Sequence, residues 1–382
     1  MSKKELGQYF TTSSLLQTFV YEHVKHKGQT LLEPSFGAGH LLQPFLTATP
    51  SYPMVCYELD SSITPIVGFQ EEQTIHYGDF TKHTLTRRFH TIITNPPYVK
   101  QKGPNLYIQF IDLCWKLLES NGELLAIVPS EFLKATSASS LLTAMMAEGS
   151  FTDVLFPHDE SLFAGASVDV VVFRYEKGIH TDHTLVNGIP KVAHLQAGIL
   201  TFPEEVPTGI LLGDIFHVYV GLVSGLDAVF KHASGNLEVL TDKDKIQRFI
   251  YTDTFPTTDS TINDRLNDKK TELLGRKIKS FTESNWFQWG APRNKTHMEA
   301  HHTESCLYVR NLTRQKEVCF RGTMQYFGGA LLCLLPKTPL TEEELIDWTT
   351  FLNSDSVRAT YTQAGRFKMG QKQLCYLLKP SS

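Results

Sequence analysis

The sequence predicts an α/β protein: a doubly wound, mostly parallel sheet in the first half and a second, α+β domain behind it. Three observations carry the prediction. Short β-rich apolar runs alternate with helical stretches through residue 175, and each run stops at Gly, Pro or an acidic residue. The length, 382 residues, is enough for two domains at about 100–200 residues each. Charge divides along the chain: residues 1–230 carry 14 basic and 23 acidic side chains, a net −9, and residues 231–382 carry 22 and 17, a net +5. A basic second half is the footprint expected of a domain that faces a polyanion.

The expected strands are 30–33 (TLLE), 54–59 (MVCYEL), 75–77, 91–94 (TIIT), 123–128 (ELLAIV), 154–156 and 168–175 (VDVVVFRY). Between them, helices are expected over 15–25, 39–47, 106–118 and 137–148. In the third, Tyr107, Phe110, Ile111, Cys114, Leu117 and Leu118 recur at helical spacing and mark one buried face. The division expected is a catalytic domain over 1–178, a Pro- and Gly-rich linker or peripheral segment over 179–212, and a second domain over 213–382. Periodicity does not define the fold of that second domain.

Composition removes several classes. With 41% hydrophobic and 20% charged residues, the chain has the apolar content of folded domains. No run approaches the ~18 apolar residues of a membrane span, and the opening MSKKELGQYF has no apolar signal core. Six scattered cysteines without a CxxC pair suit reduced thiols and a cytoplasmic location, and give no metal site. His297 and His301 stand four apart but lack HExxH and further ligands, so a surface loop is the better reading.

The chemistry lies at strand ends, where parallel sheets place their sites. Asn95-Pro96-Pro97-Tyr98 follows TIIT directly. Two prolines stiffen the loop, so the Asn95 amide and a neighbouring carbonyl can take both hydrogens of a planar amino group, with Tyr98 stacking on its ring. A Pro-rich turn that merely caps the strand is the alternative, and the lesser one. Upstream, Glu33-Pro34-Ser35-Phe36-Gly37-Ala38-Gly39 offers a tight turn with close backbone approach to a nucleotide-like cofactor. Neither GxGxxG nor a P-loop lysine is present, which disfavours pyrophosphate cofactors. Glu58 ends the next strand and can accept ribose hydroxyls. Asp79 and Phe80 end the third, with a carboxylate for an adenine amino group and an aromatic wall.

The order Gly7-Gln8-Tyr9-Phe10-Thr11-Thr12, EPSFGAG, YELD, GDF, NPPY and LFAGASVDVVVF resembles the gamma-class amino-methyltransferases of DNA, most closely the TaqI-like adenine-N6 methylases of restriction–modification systems. The resemblance covers residues 1–177; looser echoes continue at 220–230 and 351–379, in the region of a target-recognition domain. It implies a class I S-adenosylmethionine-dependent methyltransferase fold acting on double-stranded DNA, alongside a separately encoded restriction endonuclease. By resemblance, Tyr9 and Thr11 hold the methionine end of S-adenosylmethionine, with Glu33, Ser35, Gly37 and Gly39 beneath it. Glu58 takes the ribose, and Asp79 and Phe80 the adenine. Asn95, the Pro96 carbonyl, Pro97 and Tyr98 hold the target base, and Phe163 covers its other face after the base is flipped out of the duplex. Cytosine-N4 methylation is the nearest competitor, although related enzymes more often have Ser where Asn95 stands. Methylation of an RNA base or a protein glutamine, and a non-catalytic recognition subunit, compete more distantly. Trp286, Trp289, Arg293 and Lys295 interleave aromatics with cations, either to meet DNA or to anchor a small core.

Overall fold

The computed structural model describes residues 9–66, 68, 73–83, 86–99, 105–157, 159, 162, 169–363 and 365–380. Two compact units divide the chain, Met1–Pro207 and Thr208–Ser382.

The first unit runs through α1 (Ser14–His23), β1 (Leu31–Glu33), α2 (Gln43–Leu46), β2 (Met54–Glu58), β3 (Gln73–Tyr77), β4 (Phe89–Thr94) and α3 (Leu106–Lys116). It continues with β5 (Leu118–Pro129), α4 (Ser139–Glu148), β6 (Gly149–Leu155), β7 (Val170–Lys177), β8 (Thr184–Val186) and β9 (Ile189–Lys191). All nine strands form one sheet in the order β3-β2-β1-β4-β5-β7-β6-β8-β9. Strands β1 to β5 pair in parallel, and β7 enters antiparallel between β5 and β6.

Side chains alternate faces along each strand, and here both faces are buried. On β5, Leu124, Ala126 and Val128 join one core with α3 and α4, while Leu125 and Ile127 join another with α1. The α3 face carrying Tyr107, Phe110, Ile111 and Cys114 is buried, as its spacing predicts. The segment 179–212, expected as a linker or peripheral hairpins, adds β8 to the sheet edge beside β6 and forms the hairpin His194–Gln196 with Ile199–Thr201. Pro190 sits on the outermost strand, where no neighbour needs its missing N–H.

The second unit is α+β. Its main sheet is antiparallel, in the order Phe216–Val220, Leu331–Pro336, Ser305–Arg310, Cys319–Thr323. Helix Glu342–Leu352 opens with a Thr341–Glu344 capping box and buries Leu345, Trp348 and Leu352 in one core. Trp286 and Trp289 lie in the other, and Trp289 Nε1 donates to the Ile250 carbonyl at 2.8 Å. Both indoles are therefore core anchors, not DNA wedges. Arg276 is buried beside them with its guanidinium donating to the carbonyls of Leu273, Ser224, Trp286 and Gln288. The His297 ring stacks on Tyr219, and no group of residues among those described could hold a metal ion.

Candidate active site

Strands β2 and β4 flank β1 on opposite sides, so the chain reverses its direction across the sheet at β1. Such a reversal opens a crevice at the carboxyl ends of the strands. Glu33 ends β1, Glu58 ends β2, Asp79 follows β3 and Asn95 follows β4. All four line one cavity of about 510 Å³, together with Tyr9, Thr11, Ser35, Gly37, Phe80 and Pro97.

The floor is the turn after β1. Gly37 has φ 58° and Gly39 φ 89°, the left-handed region that glycine enters without strain. A Cβ on Gly37 would lie 3.1 Å from the Phe10 ring, so a larger residue there is strained by its φ and must also push that ring aside. The Gly37 N–H donates to Glu58 Oε2 at 2.7 Å, and the Asp60 N–H to Oε1 at 2.8 Å. The carboxylate is thereby fixed at the cavity wall, and each oxygen keeps a lone pair for a further donor. Burial works against ionisation of Asp79, but hydrogen bonds from Thr81 and Lys82 outweigh it and hold the carboxyl below its ordinary range. Phe80 packs between Tyr57 and Phe110, each with its ring centroid 5.4 Å away.

Glu33 is only 1% exposed. The Ser35 N–H and hydroxyl both donate to its Oε1 at 2.9 Å, while Oε2 is buried without a hydrogen-bond partner. Burial pushes its pKa up to about 8, against the Ser35 hydrogen bonds and with help from the Glu58 charge. An acceptor buried in this way suits a cationic ligand group.

Asn95 is held on every side. Its Nδ2 donates to the Tyr9 carbonyl at 2.8 Å and to Thr11 Oγ1 at 2.9 Å. Its Oδ1 accepts from the Tyr98 hydroxyl at 2.7 Å, and its backbone carbonyl accepts from Ser35 Oγ at 3.1 Å. The Tyr98 ring lies against Tyr9, with centroids 5.4 Å apart, and its hydroxyl also reaches the Ile127 carbonyl at 3.1 Å. Burial raises the Tyr98 phenol well above its ordinary pKa, so it stays a neutral donor.

Of the residues expected from sequence, ten therefore share one cavity lining. Gly39 caps the short helical turn that follows, Pro96 is buried, and Tyr98 stands behind Asn95. Phe163 lies outside the described residues. Sequence reasoning missed Tyr57 and Phe110, which were accounted for as core; their positions at the end of β2 and on the first turns of α3 were the available signal. It also missed the hydroxyl role of Tyr98, having considered only the ring.

Paired carboxylates, an aromatic slot and a buried carboxyl suit a nucleoside joined to a short cationic chain. The strand order β3-β2-β1-β4-β5-β7-β6 with β7 reversed, and a cavity at the strand ends, give this unit the fold of a class I S-adenosylmethionine-dependent methyltransferase domain. Residues 68–163 match the Eco57I restriction-modification methylase family model. The chain is 28% identical over 206 residues to the type II methyltransferase M.HincII of Haemophilus influenzae, covering 48% of this chain and 39% of that protein. It is 28% identical over 204 residues to M.TthHB8I of Thermus thermophilus, covering 46% of each. The matched region thus spans less than half the length of these relatives. A class I S-adenosylmethionine-dependent methyltransferase from Listeria monocytogenes overlaps with a TM-score of 0.38 at 14% identity, over 46% of this chain and 64% of that one.

Proposed function

We propose that the chain transfers a methyl group from S-adenosylmethionine to the exocyclic N6 of an adenine flipped out of duplex DNA, as the modification enzyme of a restriction–modification system. The observation that carries the reading is the Asn95 amide, held rigidly at the end of β4 in the lining of the cofactor cavity. An exocyclic amine is a poor nucleophile because its lone pair is delocalised into the ring. Hydrogen bonds from that amine to Asn95 Oδ1 and the Pro96 carbonyl favour a pyramidal nitrogen and aim its lone pair. Positioning of this kind supplies most of the rate. Bound S-adenosylmethionine supplies an electrophilic methyl group on a sulfonium. No general base among the side chains is needed, since an alkylated amine loses its proton readily. Pro97 and Tyr98 border the base, and Glu58, Asp79 and Phe80 hold the cofactor nucleoside.

The net +5 of residues 231–382 supports a DNA-binding role for the second unit, with phosphate contacts providing most of the affinity. Cleavage of DNA is assigned to a separately encoded endonuclease, and the working location is the cytoplasm. No helix among the described residues is long and apolar enough to cross a membrane. The test is transfer of labelled methyl to unmethylated duplex DNA, followed by digestion to nucleosides. Label in N6-methyladenine is the expected result. Label in N4-methylcytosine would move the reading to the competing base, and label in RNA or protein alone would overturn it.

A further inference from the structure

Asn95 can serve an amine only if Oδ1, and not Nδ2, faces it, and an amide can turn over by rotation about its last torsion. The surroundings of Asn95 decide between the two orientations. The Tyr9 carbonyl has no hydrogen to give, so it tolerates only Nδ2 at 2.8 Å. Thr11 Oγ1 takes the second hydrogen at 2.9 Å. Thr11 is itself held, because Gln17 Nε2 donates to its backbone carbonyl at 2.8 Å. On the other side, Tyr98 has one hydroxyl hydrogen and two acceptors, Asn95 Oδ1 at 2.7 Å and the Ile127 carbonyl at 3.1 Å.

We infer that Thr11 and the Tyr9 carbonyl lock the Asn95 amide with Oδ1 as the acceptor, and that the Tyr98 hydroxyl occupies Oδ1 until a substrate amine displaces it and the hydroxyl turns to the Ile127 carbonyl. The inference rests on the proposed amino-methyl transfer. Thr11 and the Tyr98 hydroxyl are positioning groups in it. The hand-over keeps Oδ1 paired before and after the base enters, which avoids the cost of a buried acceptor left empty. No covalent bond changes; one hydroxyl hydrogen changes partner.

The experiment uses the full chain with Thr11→Val, Thr11→Ser and Tyr98→Phe. Asparagine-selective ¹⁵N labelling, with Asn95→Ala to identify the signal, reports the Asn95 side-chain hydrogens without any DNA. Their exchange with solvent should be slow in the wild type and in Thr11→Ser, and faster by about five-fold or more in Thr11→Val, the equivalent of one lost hydrogen bond. At saturating S-adenosylmethionine, single-turnover methyl transfer to unmethylated duplex DNA should fall by a similar factor in Thr11→Val and recover in Thr11→Ser, beyond any change in S-adenosylhomocysteine affinity read by calorimetry. A rate loss matched by lost S-adenosylhomocysteine affinity would mean that Thr11 acts only on the cofactor and would overturn the lock. In Tyr98→Phe, which removes the hydroxyl from Oδ1, the Asn95 side-chain amide signals should shift away from those of the wild type; unchanged signals would overturn the hand-over. A wild-type chain that moves no label into DNA sinks the proposed function and the hand-over that depends on it, and the exchange measurement still decides the lock.

Discussion

The buried Glu33 carboxyl makes the first unit's stability depend on pH in a way that one substitution should remove. Its pKa in the folded chain is about 8, against an ordinary 4.5. Between those values the folded state holds a proton that the unfolded state has lost, so stability falls as pH rises through that window. The slope approaches 1.4 kcal/mol per pH unit, and by pH 7.5 the accumulated loss is on the order of 4 kcal/mol. Glu33→Gln does not titrate and keeps an oxygen for the Ser35 N–H. Its amide nitrogen takes the place of the unpartnered Oε2, which adds a penalty of about 1–3 kcal/mol that does not change with pH. Thermal unfolding of the cofactor-free protein, followed by circular dichroism at pH 5, 6.5 and 8, separates the two effects. The variant should lose ground or break even at pH 5 and gain on the wild type with every unit above it. At about 2–4 °C per kcal/mol for a unit of this size, the change in the Tm difference from pH 5 to pH 8 should reach roughly 8 °C. Parallel curves for the two proteins would refute the burial argument, whatever their offset. Saturating S-adenosylhomocysteine should flatten the wild-type curve, because a cation beside Oε2 favours the ionised carboxylate.

Glu58→Ala removes the carboxylate fixed at the cavity wall, and at about 1.5–3 kcal/mol for each charged hydrogen bond it should weaken S-adenosylhomocysteine binding at least ten-fold in calorimetry. Unchanged affinity would take Glu58 out of the cofactor site. Asn95→Ala should slow methyl transfer by roughly a hundred-fold or more while cofactor affinity stays within a factor of about two; a loss below ten-fold would show that the amide is dispensable. Affinity of the full chain for duplex DNA should fall with salt at about −0.9 log units per log unit for each phosphate contacted, and a flat dependence would contradict a DNA-binding second unit.

The site depends on the relative heights of neighbouring strand ends, and those are set partly at the opposite edge of the sheet. Arg174 on β7 is fully buried between Glu123, Glu176 and Asp153, with Nε donating to Glu123 Oε2 at 2.8 Å. Glu123 also accepts from the Lys25 and His26 N–H groups and from Thr91 Oγ1. One carboxylate therefore ties α1's exit, β4, β5 and β7 together. Burying these charges costs about as much as their attraction returns, so net stability is a weak account of the cluster. Its geometric effect is plainer. Glu123 stands opposite Thr91 on β4 and Glu176 on β7, and a slip of either strand would strand a charge in the core. Fixing β4 against β5 at this end fixes where Asn95 emerges and where Ile127 meets the Tyr98 hydroxyl at the other.

What could be read from the sequence follows from how each residue is placed. Glu33, Glu58, Asp79 and Asn95 were legible because each is a polar residue closing a short apolar run, and a parallel sheet brings such ends to one side. Residues 179–212 read as a linker or peripheral segment because β8 and β9 are three residues each and Pro190 interrupts the pattern; an edge hairpin buries too little to leave an apolar signature. The start of β5 was missed for a similar reason, since Glu119 to Gly122 are polar residues ahead of the buried run. Trp286 and Trp289 remained ambiguous because an aromatic beside cations looks alike in a core and at a DNA surface; burial separates the two, and burial is not local in sequence. The hydroxyl of Tyr98 was invisible for a deeper reason. Its partners are the amide three residues earlier and a carbonyl 29 residues later on β5. A motif fixes the first neighbour by spacing, but only the sheet supplies the second, and it is the second that gives the hydroxyl somewhere to turn when a substrate amine takes its place.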